Sequence, residues 1–264
     1  MQLRYWGTLA YDGTAYQGFQ RQAEGVPTIQ AEVERAAATV IGQPVTVLGA
    51  GRTDAGVHAS GQVIAFDAAW RHGAQRLLSA INAYLPDDIA LRHLEAAPTP
   101  GFHPRFDARS REYRYVVLNA PVRDPLLGRR VWHLRGALDG EAMRQAAAAL
   151  IGRHDFGGFG KPPQGENTIR TVLRSEWTQE PHENGFLRVY SIEADAFLQH
   201  MVRRIVGVMT MVGRRMQPVE IIARLLHEGV MPVGLTVAPP QGLTLVKVRY
   251  SAGETPAEAI TGKL

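Results

Sequence analysis

Apolar and polar positions along the chain follow two rhythms, one of period two and one near 3.6, and they alternate from end to end. Leu3 to Tyr11 reads as a strand. Thr28 is a good N-cap for a helix over Ile29 to Val40, with Glu32 in its first turn. Val45–Gly51 and Gln62–Phe66 read as strands on either side of a glycine-flanked polar turn. Ala74–Tyr84 is helical in pattern and stops before Pro86, and Ile89–Glu95 is a short strand. The cluster Pro98-Thr99-Pro100-Gly101 is the densest run of chain breakers and marks a boundary. Beyond it, Ser110 to Leu118 is a strand and Leu138 to Ile151 an alanine-rich helix with Asp139 near its start. Arg170–Gln179 and Gly185–Ala196 are strands paired through the turn Pro181–Gly185. Phe197 to Val212 has apolar residues at 198, 201, 202, 205, 208, 209 and 212, the spacing of a packed helix, which Gly213 ends. A further helix opens at Pro218 and runs to His227, and Leu243–Tyr250 closes the chain as a strand.

This order repeats strand-helix-strand-strand-helix-strand, with one more helix in the second copy. Each copy resembles the split β-α-β unit of ferredoxin-like and RNA-recognition folds. The expectation is an α+β protein of two such halves, residues 1–104 and 105–264. They would form a continuous, mainly antiparallel sheet with helices on one face and a catalytic cleft between the halves. An open sheet face suits RNA, although a fold does not fix a function.

Charge sharpens the picture. The net charge is +4, and of 29 basic residues only Lys161, Lys247 and Lys263 are lysine. Arginine binds phosphate bidentately and stacks on bases, so the balance fits a nucleic-acid partner. It also fits a genome that swaps lysine for arginine. The chain has no cysteine, which excludes thiolate nucleophiles, disulfides and cysteine-ligated zinc or iron–sulfur sites. The nine histidines form no H-x-x-x-H pair. A histidine–carboxylate metal site stays open; no apolar run approaches the ~20 residues of a membrane span, and the N-terminus lacks a signal-peptide core, so the expectation is a soluble cytoplasmic protein.

Candidate chemistry concentrates in two segments. In the turn Gly51-Arg52-Thr53-Asp54-Ala55-Gly56-Val57-His58-Ala59, a carboxylate sits two residues after a guanidinium. Asp54 stands where a dinucleotide fingerprint needs its third glycine, so this is not such a loop. Two readings stand: a surface ion pair in a turn, or a nucleophile or base kept anionic by its neighbour. His58 lies four residues after Asp54. Arg21, after Tyr16-Gln17-Gly18-Phe19-Gln20, is a phosphate contact or a solvated charge. The second segment runs from Arg105 to Tyr115. If it is extended from 109, Arg109, Arg111, Tyr113 and Tyr115 share one face, offering guanidiniums to phosphates and rings to bases, or else forming an ordinary strand with snorkelling arginines. Arg203 and Arg204 interrupt an apolar helix, and a near-core arginine needs a carboxylate or phosphate partner. Gly157-Gly158-Phe159-Gly160-Lys161 is not a P-loop, because Asp155 replaces its first glycine and Pro162 follows the lysine.

Taken together, these strings resemble the tRNA pseudouridine synthase A family. The matching strings are Tyr11-Asp12-Gly13-Thr14, Gly18-Phe19-Gln20, Gly51–Ala59 and Phe102-His103-Pro104-Arg105-Phe106. Tyr113-Arg114-Tyr115, His154-Asp155-Phe156, Phe197 to Gly207, Gly242-Leu243-x-Leu245 and Val248-x-Tyr250 follow in the same order. Glu112 stands where the family often has a basic residue. The resemblance implies isomerisation of uridine to pseudouridine at positions 38, 39 and 40 of tRNA, by a homodimer that needs no cofactor or metal. It implies Asp54 as catalytic nucleophile, Arg52 paired with it, and Tyr113 against the target uracil. Arg203, Arg109, Arg111, Arg21, His58 and Leu245 are then the expected substrate-binding positions.

Overall fold

The computed structural model describes residues 2–162, 165–230 and 234–251. Its elements are β1 (Leu3–Tyr11), α1 (Ile29–Ile41), β2 (Leu48–Gly49), β3 (His58–Ala68), α2 (Ala74–Asn82), β4 (Ile89–Ala96), β5 (Ser110–Asn119), β6 (Trp132–Leu134), α3 (Gly140–Ala148), β7 (Gly152–Asp155), β8 (Ile169–His182), β9 (Gly185–Ala194), α4 (Met201–Gly213), α5 (Ile221–Glu228) and β10 (Leu243–Arg249). This is the expected α+β class. The chain divides into two compact units, Met1–Arg109 with Leu245–Leu264, and Ser110–Thr244. The last stretch of the expected second half, 252–264, lies outside the described residues.

In the first unit the strands lie in the order β4-β1-β3-β10, with the short β2 on β3. β1 runs antiparallel to both of its neighbours. Thr28 caps α1 through its side chain, which accepts from the Ala31 amide. The helix buries Ile29, Val33, Ala36 and Ala37, while α2 buries Leu77 and Ile81. α2 stops at Asn82 rather than Tyr84, because the Asn82 amide leaves the helix to clamp both the N–H and the carbonyl of Leu91 in β4, at 2.8 Å each. The expected strand Val45–Gly51 shrinks to Leu48–Gly49. The Val47 N–H goes to the carboxylate of Glu34 at 2.9 Å, and that bond takes it out of a strand ladder. The breaker cluster is followed at once by a return to the core. Phe102 packs edge-on against Trp6, Tyr250 does the same, and the Tyr250 hydroxyl donates to the Pro104 carbonyl at 2.7 Å.

The second unit orders its strands β5-β9-β8-β7, all antiparallel, with β6 parallel on the end of β5. The pairing of β8 with β9 is as expected, and both continue to a tight turn at residues 183–184. β6 and β7 are too short, at three and four residues, to carry a readable alternation. α3 is trimmed to nine residues, with the Asp139 side chain capping it through the Ala142 amide. α4 starts at Met201, not Phe197. Gln199 is bridged to Lys161, its N–H donating to the Lys161 carbonyl at 2.9 Å, and His200 turns the chain with φ at 62°. Tyr115, Tyr190, Phe156, Phe159, Ile205, Val208 and Met209 fill the core. Inside it, Ser175 donates to the Ala147 carbonyl and shares a 2.8 Å hydrogen bond with the Tyr190 hydroxyl, so neither hydroxyl is left unsatisfied.

Candidate active site

The Asp54 turn belongs to the first unit and is held from beneath by fixed groups. Gln62 of β3 is fully buried. Its amide grips Gly51 from both sides, donating to the carbonyl at 2.6 Å and accepting from the N–H at 3.2 Å. Thr53 is buried, its hydroxyl 2.8 Å from the Tyr11 hydroxyl and its carbonyl accepting from the Phe19 N–H at 3.1 Å. Gly49 is a glycine because a Cβ there would lie 2.3 Å from the Phe19 ring. The turn closes with the Val57 N–H donating to the Asp54 carbonyl at 3.1 Å. Every one of these bonds engages backbone or a neighbouring side chain. They leave the half-buried Asp54 side chain on a turn whose backbone is pinned before and after it.

Arg52 is exposed. His58 is 1 % exposed and serves the fold, its Nδ1 accepting the Gly13 N–H at 3.0 Å. Asp12 Oδ1 lies 3.2 Å from the same nitrogen. Because that nitrogen already offers its lone pair to Gly13, the contact is not an ion pair. The Asp12 oxygen instead accepts from the Thr14 N–H at 3.0 Å and from its hydroxyl. Arg21 is drawn into an ion pair with the buried Glu34 at 2.9 Å, although more than half of its side chain stays in solvent. Leu245, on β10, is fully buried. Arg109 is exposed, its backbone N–H bonded to the Arg249 carbonyl at 2.8 Å.

The second unit carries the aromatic strand. On β5 only Arg114 of the first ten residues is exposed. Arg111 is buried and donates to the Asp195 carbonyl at 2.9 Å. Tyr115, expected on a base-stacking face, is instead in the core. Its hydroxyl donates to the Pro239 carbonyl at 2.8 Å, and burial pushes the phenol pKa above its ordinary value. Tyr113 is 8 % exposed and meets Phe197 edge-on, with centroids 5.0 Å apart. Glu112 is buried, with Arg174 at 3.5 Å. Arg203 donates through Nε to the Ala238 carbonyl at 2.8 Å, while its own carbonyl accepts from the Ala238 N–H at 3.0 Å. The Nε of Arg204 is buried without a hydrogen-bond partner.

The reading of the motifs missed the residues that brace the turn. Gln62, a single amide inside an apolar strand, was the available signal, since a buried amide needs partners.

A family model described as tRNA pseudouridine synthase matches residues 8–107 and 146–251. A tRNA pseudouridine synthase A of Neisseria gonorrhoeae is 43% identical over 244 residues, covering 92% of this chain and 90% of that protein. The chain belongs to the tRNA pseudouridine synthase family. The enzyme of the same name from Shewanella amazonensis is 44% identical, covering 92% of this chain and 91% of the relative. That from Geobacter sulfurreducens is 42% identical, covering 92% and 97%. Asp54 and Arg203 fall inside the stretches matched by the family model, and Tyr113 falls between them. Among the described residues, no helix is long and apolar enough to cross a membrane, and no group of three or more His, Asp or Glu side chains is placed to hold a metal ion.

Proposed function

We propose that this chain isomerises uridine to pseudouridine at positions 38, 39 and 40 in the anticodon stem-loop of tRNA, with Asp54 as its catalytic carboxylate. The observation that carries the reading is the bracing of the Asp54 turn at Gly51, Thr53 and Val57. A carboxylate fixed in this way loses little freedom when a nucleoside is brought to it, and orientation is a large part of any catalytic advantage. The reaction breaks N1–C1′, turns the uracil and joins C5 to C1′. The hydrogen at C5 leaves as a proton, N1 takes up a proton, and there is no net redox change.

In this reading Asp54 is the family's nucleophile and Tyr113 contacts the target uracil. A ring there replaces part of the stacking that an everted base gives up. Exposed Arg52 and Arg109 are available to RNA phosphates. Arg203 serves near the reacting base, and Arg111 and His58 act by shaping the fold around it. The enzyme works in the cytoplasm as a homodimer.

Release of tritium from tRNA labelled at uracil C5 tests the proposal. Wild-type protein releases label, and Asp54→Asn binds the same tRNA without releasing it. Strong release by the variant rejects Asp54 as the catalyst. Mapping the modified positions separates the anticodon stem-loop from any other target.

A further inference from the structure

The segment 102–109 of the first unit holds an aromatic side chain that the fold does not use. Phe106 is 72% exposed, although neighbouring Phe102 is buried at 2%. Leaving a phenylalanine ring largely in water forgoes the stabilisation that its burial would give. The ring is nonetheless held in place. His103 lies against it with centroids 4.3 Å apart and planes tilted by 40°, and the Arg105 guanidinium carbon is 5.6 Å from its centroid.

The turn beneath is tied as a unit. The Asp107 carboxylate accepts the His103 N–H at 2.8 Å, the Asp107 N–H returns to the His103 carbonyl at 3.1 Å, and the Arg105 N–H goes to His103 Nδ1 at 3.1 Å. Phe102 and the bond from Tyr250 to Pro104 anchor it to the core. The one carboxylate in the turn is thus engaged by backbone; Arg105 lies over the ring, and Arg109, three residues further along the chain, is exposed.

We propose that Phe106 is a stacking platform for an unpaired base of the substrate RNA, extending the His103–Phe106 stack while Arg109 meets the adjoining phosphate. Resting on the tRNA reading above, the proposal adds a binding residue outside the Asp54 turn. A held, solvent-facing ring beside cations is the arrangement that binds single-stranded nucleic acid without reading its sequence. An unpaired loop offers such bases and a duplex does not.

The test is the affinity of Phe106→Ala, Phe106→Leu and Phe106→Trp for a fluorescent, unmodified anticodon stem-loop, measured by anisotropy, with tritium release in parallel. Stacking on an aromatic is worth ~1–3 kcal/mol per base, so Ala weakens binding roughly 5- to 150-fold. Leu, apolar but without a π face, stays weak, and Trp retains wild-type affinity. KM rises in Ala and Leu with kcat unchanged. Because the ring is exposed, all three variants keep the wild-type melting temperature. Wild-type affinity in Ala, or equal affinity in Leu and Trp, overturns the proposal. So does a loss of self-association in Ala with RNA affinity intact, which would make the ring a protein contact. If the wild type releases no tritium, the uridine-isomerase reading fails; if it does and Ala matches it in KM and affinity, only the platform fails.

Discussion

The Gly51–His58 turn and strand β5 both carry polar residues that promise chemistry, the strand adding aromatic ones, yet the fold treats them differently. In the turn the side chains divide. Thr53 and His58 are buried and bonded inward, while Arg52 is exposed and Asp54 half-buried. In β5 nearly everything is covered, and Arg111, Glu112, Tyr113 and Tyr115 are all below 10 % exposure. The turn is pinned largely through its backbone, by Gln62 and the Phe19 N–H. The strand is held by most of its side chains, and Tyr113 keeps 8 % of its surface exposed. A density of polar and aromatic residues therefore does not by itself mark a binding surface; what each side chain touches decides it.

The largest effect expected from this contrast is at Asp54. Asp54→Asn should lower turnover by at least ~10³-fold, while the protein melts within about 1 kcal/mol of wild type. Kinetics and a denaturant titration on one preparation decide it. An Asn variant that loses several kcal/mol of stability would show that the carboxylate serves the fold, and the contrast between the regions would disappear.

At Tyr115 the balance should reverse. Tyr115→Ala empties a fully buried aromatic site and should cost about 3–5 kcal/mol. Tyr115→Phe leaves the Pro239 carbonyl without its donor and should cost about 1 kcal/mol. Gly242→Val should be damaging as well, since even a Cβ there would sit 2.6 Å from the Tyr115 ring carbon Cζ. Tyr113→Ala should cost activity out of proportion to stability. If thermal melts rank Tyr113→Ala with Tyr115→Ala and turnover per folded molecule is unchanged, Tyr113 is core and not a substrate contact.

What the sequence made legible follows the same line. Period and caps located β1, α1, β4, β8, β9 and α5 to within a few residues, because each buries a continuous apolar stripe and Thr28 offers an oxygen to an N-terminus. The string around Asp54 carried the family without any coordinates. The face of β5 was not legible, since alternation puts 109, 111, 113 and 115 together but cannot say whether that face meets RNA or a helix. The start of α4 was misplaced because Phe197 and Leu198 continue its apolar spacing, and only the bridge between Lys161 and Gln199 holds them out of it.

A smaller effect separates the brace from the catalyst. Gln62→Leu keeps the volume of the side chain but strands both backbone groups of Gly51. Stability should fall by about 1–3 kcal/mol. A slight shift of Asp54 should also lower kcat by roughly 10- to 100-fold with KM little changed. Gln62→Glu, which can still accept the Gly51 N–H, should recover part of the kcat. If the two variants lose stability equally and neither changes kcat at full folding, the brace does not position Asp54.

The smallest effect concerns the other polar turn of the first unit, around His103. Burial there disfavours the imidazolium and holds the His103 pKa below its ordinary value of about 6.5. The neutral ring also keeps Nδ1 free to accept the Arg105 N–H. The sign follows from linkage: below about 6.5 the unfolded chain takes up a proton that the folded chain resists. The contribution is full above that pH and is lost as pH falls toward the folded value. Denaturant midpoints of wild type should therefore decline between pH 7 and 5 more than those of His103→Gln. Proton NMR of the His103 ring gives the independent check. A titration midpoint at or above 6.5 removes the premise, and with it the idea that the turn presenting Phe106 stays closed at neutral pH because its imidazole is uncharged.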